Sequence, residues 1–390
     1  MSSERNMTTQ KILSRDFLFG FLAQFAFTSA FFLLVPTLPI YLSRLEAKGA
    51  EIGLLIGTLG LSSLFLRPFV GRALLRIPER KFMIAGTVLH ALACVAYFWS
   101  PPFWPLLIVR VFQGIAMAFF STASFTLIAN TTPEIRRGQI FSYYTLSMNF
   151  AFALAPYLGM LLINRFNFSI LFLACTGSSL ASLLATIKLS KVQGVPPENQ
   201  SSRGQPILSL EALPASIMAF MLNVIWGSLG AFFPLYALGH RVSNPGIFFS
   251  AVAITLILGR MVGGKILDLY ERKRVIIPCL VVVTLSMAVL TFSTTLFMFI
   301  LAAVIFGTGW SLLYPSLLVY AIDDPKAARG PAMATFTALG DLGLGVGPMI
   351  MGAVVQWTSY PIMFSCLTLT GALNLFYFYG AARKKEPAKE

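Results

Sequence analysis

Twelve mostly apolar stretches, each about as long as a membrane is thick, recur along the chain and limit what it can fold into. They lie near residues 16–41, 51–70, 81–99, 105–129, 139–163, 168–188, 212–238, 246–267, 275–293, 297–321, 331–357 and 361–382. A helix rising 1.5 Å per residue needs about 20 such residues to cross a hydrocarbon layer of ~30 Å. Composition agrees: 57% of residues are hydrophobic and 11% charged, against roughly 45–50% and about 25% in soluble domains. The pattern predicts an all-α membrane protein of twelve transmembrane helices. The first stretch is too long for the apolar core of a secretion signal and reads as a retained helix.

The net charge of +14 would suggest a nucleic-acid partner on a soluble surface, but its distribution points elsewhere. With both termini placed inside, 22 of the 29 Lys and Arg residues fall on cytoplasmic segments. Arg44, Lys48, Arg165 and Arg241 fall outside, and Arg67, Arg110 and Arg260 lie in or at the ends of spans. This is the positive-inside distribution of a multi-pass plasma (inner) membrane protein, and no nucleic-acid partner is expected. Cys94, Cys175, Cys279 and Cys366 are isolated within spans, and with His90 and His240 they form no disulfide or metal-ligand pattern. No metal or cofactor is expected.

The two halves repeat. An offset of 192 pairs Glu79 with Glu271, Lys81 with Lys273, Pro133 with Pro325, Arg137 with Arg329, Gly138 with Gly330, and Pro156 with Pro348. Upstream, Arg67 and Gly71 pair with Arg260 and Gly264 at an offset of 193. The expected organisation is a six-helix bundle over 1–188, a flexible Pro/Ser/Gln/Gly-rich cytoplasmic linker over 189–211, and a second bundle over 212–390 with a short basic tail. Two bundles on a loose linker can move against each other around a site at their interface.

Three regions carry a more specific signal. RPFVGRALLRIPERK (67–81), after the second span, is repeated as RMVGGKILDLYERK (260–273) after the eighth. The fourth span contains LLIVRVFQGIAMA (106–118), and the fifth contains AFALAPYLG (151–159), matched in the eleventh by GLGVGPMIMG (343–352). These resemble, in turn, the loop signature, the Arg-x-x-Gln-Gly pattern and the Gly/Pro exporter pattern of the major facilitator superfamily. The resemblance covers residues 15–382. It implies that fold, alternating access, and gating roles for Gly71, Arg72, Arg76, Arg80, Gly264, Asp268 and Arg272. Leu75 and Pro78 stand where the first loop signature has Asp and Gly, whereas the second copy keeps Asp268. Ala151 and Ala155 replace two glycines but remain small. Arg72, Arg76, Arg80 and Lys81 would meet anionic lipid and helix C-terminal dipoles, or serve topology alone. Pro156, Gly343, Gly347 and Pro348 give thin, kinked helix faces suited to a hinge or to packing.

Asp341 is the acid placed at mid-membrane, ten residues past Pro331. A charge there costs roughly 2.5–3.5 kcal/mol on insertion scales and marks a candidate functional site facing the interior. Ala334, Thr337, Asp341, Gly345 and Pro348 share a helix face, and their repeat partners are Ser142, Thr145, Asn149, Ala153 and Pro156. Asn149 is thus the uncharged counterpart of Asp341. A carboxyl's proton affinity rises with desolvation and falls beside a cation, so alternating exposure would let Asp341 take up and release a proton. The alternative is a neutral carboxyl hydrogen-bonded to Thr337 or a neighbouring helix.

Arg110 is a second proton-coupling candidate after Asp341, with membrane anchoring as its alternative. It heads a polar stripe through Gln113, Met117, Ser121 and Ser124. Gln24, Phe31, Gln113, Met117, Tyr143, Tyr144, Thr145, Asn149, Asn223, Trp226, Tyr236, Trp310, Tyr314 and Thr337 are candidates for the wall of a largely apolar substrate cavity. His90 reads as an ordinary buried histidine. The function expected is proton-coupled efflux of a small organic solute by a monomer among membrane lipids, with uptake symport or uncoupled facilitation as alternatives. A membrane enzyme lacks its paired groups, and a receptor or scaffold lacks a soluble module.

Overall fold

The computed structural model describes the backbone of residues 15–100, 103–132, 137–190, 209–269, 272–322 and 329–384, and all their side chains except those of 137–139, 262–269, 272–273, 322, 329–330 and 381–384. Of the repeat-loop candidates Gly264, Asp268 and Arg272 only the helical backbone is described, and most of the linker lies outside the described residues. All regular structure among the described residues is helical: α1 (Arg15–Arg44), α2 (Gly49–Ala73), α3 (Glu79–Ala96), α4 (Trp104–Thr131), α5 (Arg137–Arg165), α6 (Phe168–Ile187), α7 (Leu213–Gly239), α8 (Gly246–Leu269), α9 (Arg272–Phe292), α10 (Leu296–Ile322), α11 (Arg329–Trp357) and α12 (Tyr360–Lys384).

Ten of these helices are long and apolar enough to cross a membrane, and α8 adds a shorter apolar segment over Gly246–Met261. Helix α3 spans 18 residues and opens with Glu79, Arg80 and Lys81, three charges that dilute its apolar run. Local signals set several ends. Asn167 accepts the Ile170 N–H at 2.9 Å and caps α6, and Glu51 accepts the Lys48 N–H at 2.7 Å before α2. Prolines sit inside seven of these helices, α1, α2, α5, α7, α9, α10 and α11, as membrane helices tolerate where neighbouring helices satisfy the freed backbone groups.

The packing repeats as the sequence does. Helix α1 packs on α5 and α6, α2 on α4, and α3 on α4 and α6; likewise α7 packs on α11 and α12, α8 on α10, and α9 on α10 and α12. The two sets of six meet along two main seams, α2 against α11 and α5 against α8. With twelve helices alternating in direction, the start of α1 and the end of α12 lie at one face, the terminal face. Each seam is tight on the side away from that terminal face.

The seams are built from corresponding residues. The Ala50 N–H donates to Gln356 Oε1 at 3.1 Å, and at the repeat positions Asn164 Nδ2 donates to the Ser243 carbonyl at 2.7 Å. One step further along the helices, Gly53 abuts the Pro348 carbonyl and Gly246 abuts the Pro156 carbonyl, each too close for any side chain. Next, Gly57 presses on the Gly345 carbonyl, while Ser250 at the matching position donates its hydroxyl to the Ala153 carbonyl at 2.6 Å. Small residues are what allow two backbones to approach this closely in lipid. At Gly71, nearer the terminal face, an added Cβ would meet nothing within 4 Å. The seam is therefore closed at the far face and open toward the termini.

Candidate functional site

Where the α2–α11 seam begins to part, a cavity of about 230 Å³ lies between the two sets of helices. Phe31, Phe32 and Val35 of α1, Met117 of α4 and Trp226 of α7 give it an apolar wall. Its charged lining residues are Arg67, Arg110 and Asp341. Trp226 stands between the halves: its ring lies 5.4 Å from Phe152 of α5, and it continues into an aromatic ladder on α10 through Phe306, Trp310 and Tyr314.

The partner of Asp341 comes from the other half of the chain. Arg67 Nε lies 2.9 Å from Asp341 Oδ2, the one salt bridge among the described residues. Side chains on a helix lean toward its N-terminus, so Arg67 reaches back along α2 from beyond Gly60 to a carboxylate whose own backbone carbonyl lies 3.1 Å from the Cβ position of Gly60. The pair is a close charge contact without an aligned hydrogen bond, since Asp341 Oδ2 is buried and has no partner of good geometry. Arg67 Nε also approaches Ser63 Oγ at 3.3 Å. A carboxylate held by one imperfect contact in a low-dielectric site is sensitive to any competitor for either member. The same rung recurs across the other seam with one change: Arg260 Nη1 approaches Asn149 Oδ1 at 3.4 Å.

Arg110 does not pair with Asp341. Its Nε donates to the Leu55 carbonyl at 2.9 Å, Nη2 to the Ile56 carbonyl at 3.1 Å, and Nη1 to Gln113 Oε1 at 2.6 Å. Two of the three guanidinium nitrogens thus fix α4 to α2, and the third bonds within α4. Gln113 Oε1 also accepts the Tyr97 hydroxyl at 2.9 Å, which orients the amide so that Nε2 faces His90 Nε2 at 3.3 Å. His90 Nδ1 lies 2.9 Å from Ser179 Oγ, so the imidazole is bonded at both ring nitrogens and fully buried among α3, α4 and α6.

The cavity candidates therefore divide. Phe31, Met117 and Trp226 line the cavity with Asp341 and Arg110. Gln24, Gln113, Tyr144 and Tyr236 do not: they are buried within one half or the other. Gln24 Oε1 accepts from Ser124 at 3.0 Å and Tyr144 at 3.1 Å, and the Tyr236 hydroxyl bonds the Ser293 carbonyl at 2.6 Å. Apolar surroundings force each polar group onto an internal partner, which a helical-wheel count cannot distinguish from a cavity-facing residue. Asn223 and the Tyr314 hydroxyl flank Gly340, beside Asp341, with the Cβ position of Gly340 lying 3.3 Å and 3.5 Å from them. Trp310 stacks between Phe306 and Tyr314. Tyr143 is exposed, and Thr145 and Thr337 are half-buried, their hydroxyls returned to their own helix backbones. The bond from Thr337 to Asp341 that the alternative reading offered is not formed.

Among the loop and kink candidates, Arg80 donates from Nε to the Thr186 carbonyl at 3.3 Å and from Nη2 to that of Ile187, closing the C-terminus of α6 as its dipole favours. Arg72 and Arg76 line a shallow surface cleft at the terminal face with Phe69, Leu75 and Ile77. Gly343 and Gly347 pack on the backbone of α7 at Phe220 and Val224, while Gly345 between them faces α2. Pro348 and Pro156 occupy equivalent rungs of the two seams. Arg67 and Arg260 are the residues that single-helix reasoning overlooked, although their offset of 193 is visible in the sequence.

Comparison with known proteins bears on this site. The profile of the Major Facilitator Superfamily matches over residues 20–326 and 215–390. The chain is 24% identical to the Staphylopine export protein of Staphylococcus aureus, over 87% of this chain and 89% of that one. It is 23% identical to Multidrug resistance protein 1 of Bacillus subtilis, over 88% and 90%. In fold it resembles the crystal structure of the nucleoside transporter NupG, with a TM-score of 0.78 at 17% identity, covering 95% of this chain and 99% of that one.

Proposed function

The chain belongs to the Major Facilitator Superfamily, and from that premise we propose that it exports a small amphipathic organic solute by alternating access in exchange for protons. It is a multi-pass membrane protein of a transporter family, not an enzyme. In this reading residues 1–188 and 212–390 move as two bodies about the 189–211 linker, the terminal face is the cytoplasmic face of the plasma membrane, and a monomer suffices.

The observation that carries the reading is the Arg67–Asp341 contact at the mouth of the cavity, 2.9 Å across the seam between the halves. It favours the conformer closed at the far face, because the halves must separate there for the pair to break. A proton on Asp341 removes the attraction. A cationic group of the solute does the same by competing with Arg67. The carboxylate serves one of these at a time, so proton and solute take turns, which is the requirement for exchange. The apolar wall of Phe31, Phe32, Val35, Met117 and Trp226 suits an aromatic or aliphatic body, which agrees with relatives named as an exporter and a multidrug resistance protein.

The test is uptake into proteoliposomes of inverted orientation under imposed pH gradients, with norfloxacin and ethidium as probes. Protons moving against the probe should drive its accumulation, and Asp341→Asn should abolish accumulation while leaving exchange of probe for probe. If Asp341→Asn still concentrates the probe, the proton role is lost. Acceleration by protons moving with the probe would make the protein a symporter, and indifference to the gradient a facilitator.

A further inference from the structure

The two seams carry the same rungs until the last one. Gln356 at Ala50 answers Asn164 at Ser243, Pro348 at Gly53 answers Pro156 at Gly246, and Gly345 at Gly57 answers Ala153 at Ser250. At the fourth rung both seams retain the cation, Arg67 or Arg260, but the anion survives only in one. Asp341 faces Arg67 at 2.9 Å, whereas Arg260 finds the amide oxygen of Asn149 at a long 3.4 Å. An amide dipole neutralises no charge, and no carboxylate among the described residues lies within 4 Å of Arg260.

The Arg260 guanidinium is exposed on the seam between the two sets of helices, with a dipole where its twin has a counter-ion, so its charge is open to an anion from outside the chain. We infer that Arg260 and Asn149 form a seat for an oxyanion of the transported solute, a carboxylate in the first instance. Asn149 supplies the geometry: its oxygen accepts from one arm of the guanidinium and its Nδ2 is a donor that a carboxylate oxygen can take, while the fork of Arg260 offers two further N–H groups. The solute class is then amphoteric: its cationic group competes at Asp341 in the cavity, and its anionic group reaches Arg260 on the other seam, outside that cavity's lining. This rests on the reading that the space between the halves is the solute path, but its test is binding and does not depend on transport or coupling.

Phosphate headgroups of lipid share the oxyanion chemistry, and the experiment separates the two. The melting temperature of the purified full-length chain in neutral detergent is measured against benzoate and, as the near-isostere of opposite charge, benzylamine, at constant ionic strength. Three proteins are compared: the wild type, Arg260→Gln and Asn149→Asp. The last variant copies the Asp341 rung and places an anion of the chain's own on Arg260. Benzoate should raise the wild-type melting temperature in proportion to the logarithm of its concentration above its dissociation constant. Both variants should need at least about tenfold more benzoate, the loss expected on removing a charge-assisted contact. Asn149→Asp alone should melt no lower than the wild type without ligand, which separates loss of the seat from loss of the fold. A role for Arg260 limited to clamping α8 to α5 makes the opposite forecast for Asn149→Asp: a tighter seam and an unchanged benzoate response. That result, equal benzoate shifts in all three proteins, or stabilisation by phosphatidylglycerol vesicles with none from benzoate, overturns the inference.

Discussion

Substituting glycines along α2 should produce a graded opening of the far face, because the three positions differ in how far a methyl group intrudes on α11. Ordinary van der Waals contact to a Cβ begins near 3.4 Å, and at Gly60 the added Cβ would lie 2.9 Å from the Gly345 nitrogen, an overlap of half an ångström. At Gly57 it would fall on the Gly345 carbonyl oxygen itself, deeper still and with backbone on both sides, so no rotamer relieves it. At Gly71 it would meet nothing within 4 Å. Overpacking of this kind costs about 1–3 kcal/mol, and every 1.4 kcal/mol is tenfold in an equilibrium. Because the halves can relieve the clash by separating at the far face, the cost appears as population. Gly57→Ala should raise the far-face-open population by about tenfold to a hundredfold and Gly60→Ala by a few-fold. Gly71→Ala should leave the far face as closed as in the wild type. Spin labels at Glu46 and Ser359, both exposed on far-face loops, with Cys366→Ser to remove the partly exposed native thiol, read this by pulsed dipolar spectroscopy. Equal distance distributions for Gly57→Ala and Gly71→Ala would refute the seam as the closing element.

Other outcomes follow from single contacts. Arg110→Lys keeps the charge but loses the fork that holds the Leu55 and Ile56 carbonyls and Gln113, and should destabilise the protein by about 2–3 kcal/mol. Thermal melting in detergent measures it; an unchanged melting temperature with altered proton coupling would instead make Arg110 a coupling residue. Arg80→Ala removes the group that closes α6 and should cost about 1 kcal/mol, seen as earlier hydrogen exchange at the end of α6 with transport retained. Ser250→Ala deletes one hydroxyl bond at 2.6 Å without adding bulk and should shift the far-face distances far less than Gly57→Ala does.

The architecture was legible because lipid imposes it. Apolar length and the 192-residue repeat follow from bilayer thickness and internal duplication, and the helices fall where those patterns put them. Asp341 was legible too, since a carboxylate in an apolar run has few explanations. Its partner was not, because Arg67 lies on another helix in the other half, and periodicity along one helix reports neighbours on that helix alone. The signal was nevertheless present: the offsets that relate Arg67 to Arg260 and Asn149 to Asp341 already pair the cations and their partners. Gln24, Gln113, Tyr144 and Tyr236 misled for a physical reason, as a polar residue on a membrane helix faces inward whether it meets a cavity or another side chain.

The central claim is that ionised Asp341 holds the far face shut through Arg67 and that a proton releases it. The direct measurement is the Glu46–Ser359 label distance between pH 5 and pH 9, in the wild type and in Asp341→Asn, without added solute. Protonation discharges the pair, so the open population of the wild type should grow as pH falls, while Asp341→Asn should show an enlarged open population that does not change with pH. A wild-type distribution that ignores pH, or an Asp341→Asn protein that still follows it, would contradict the account.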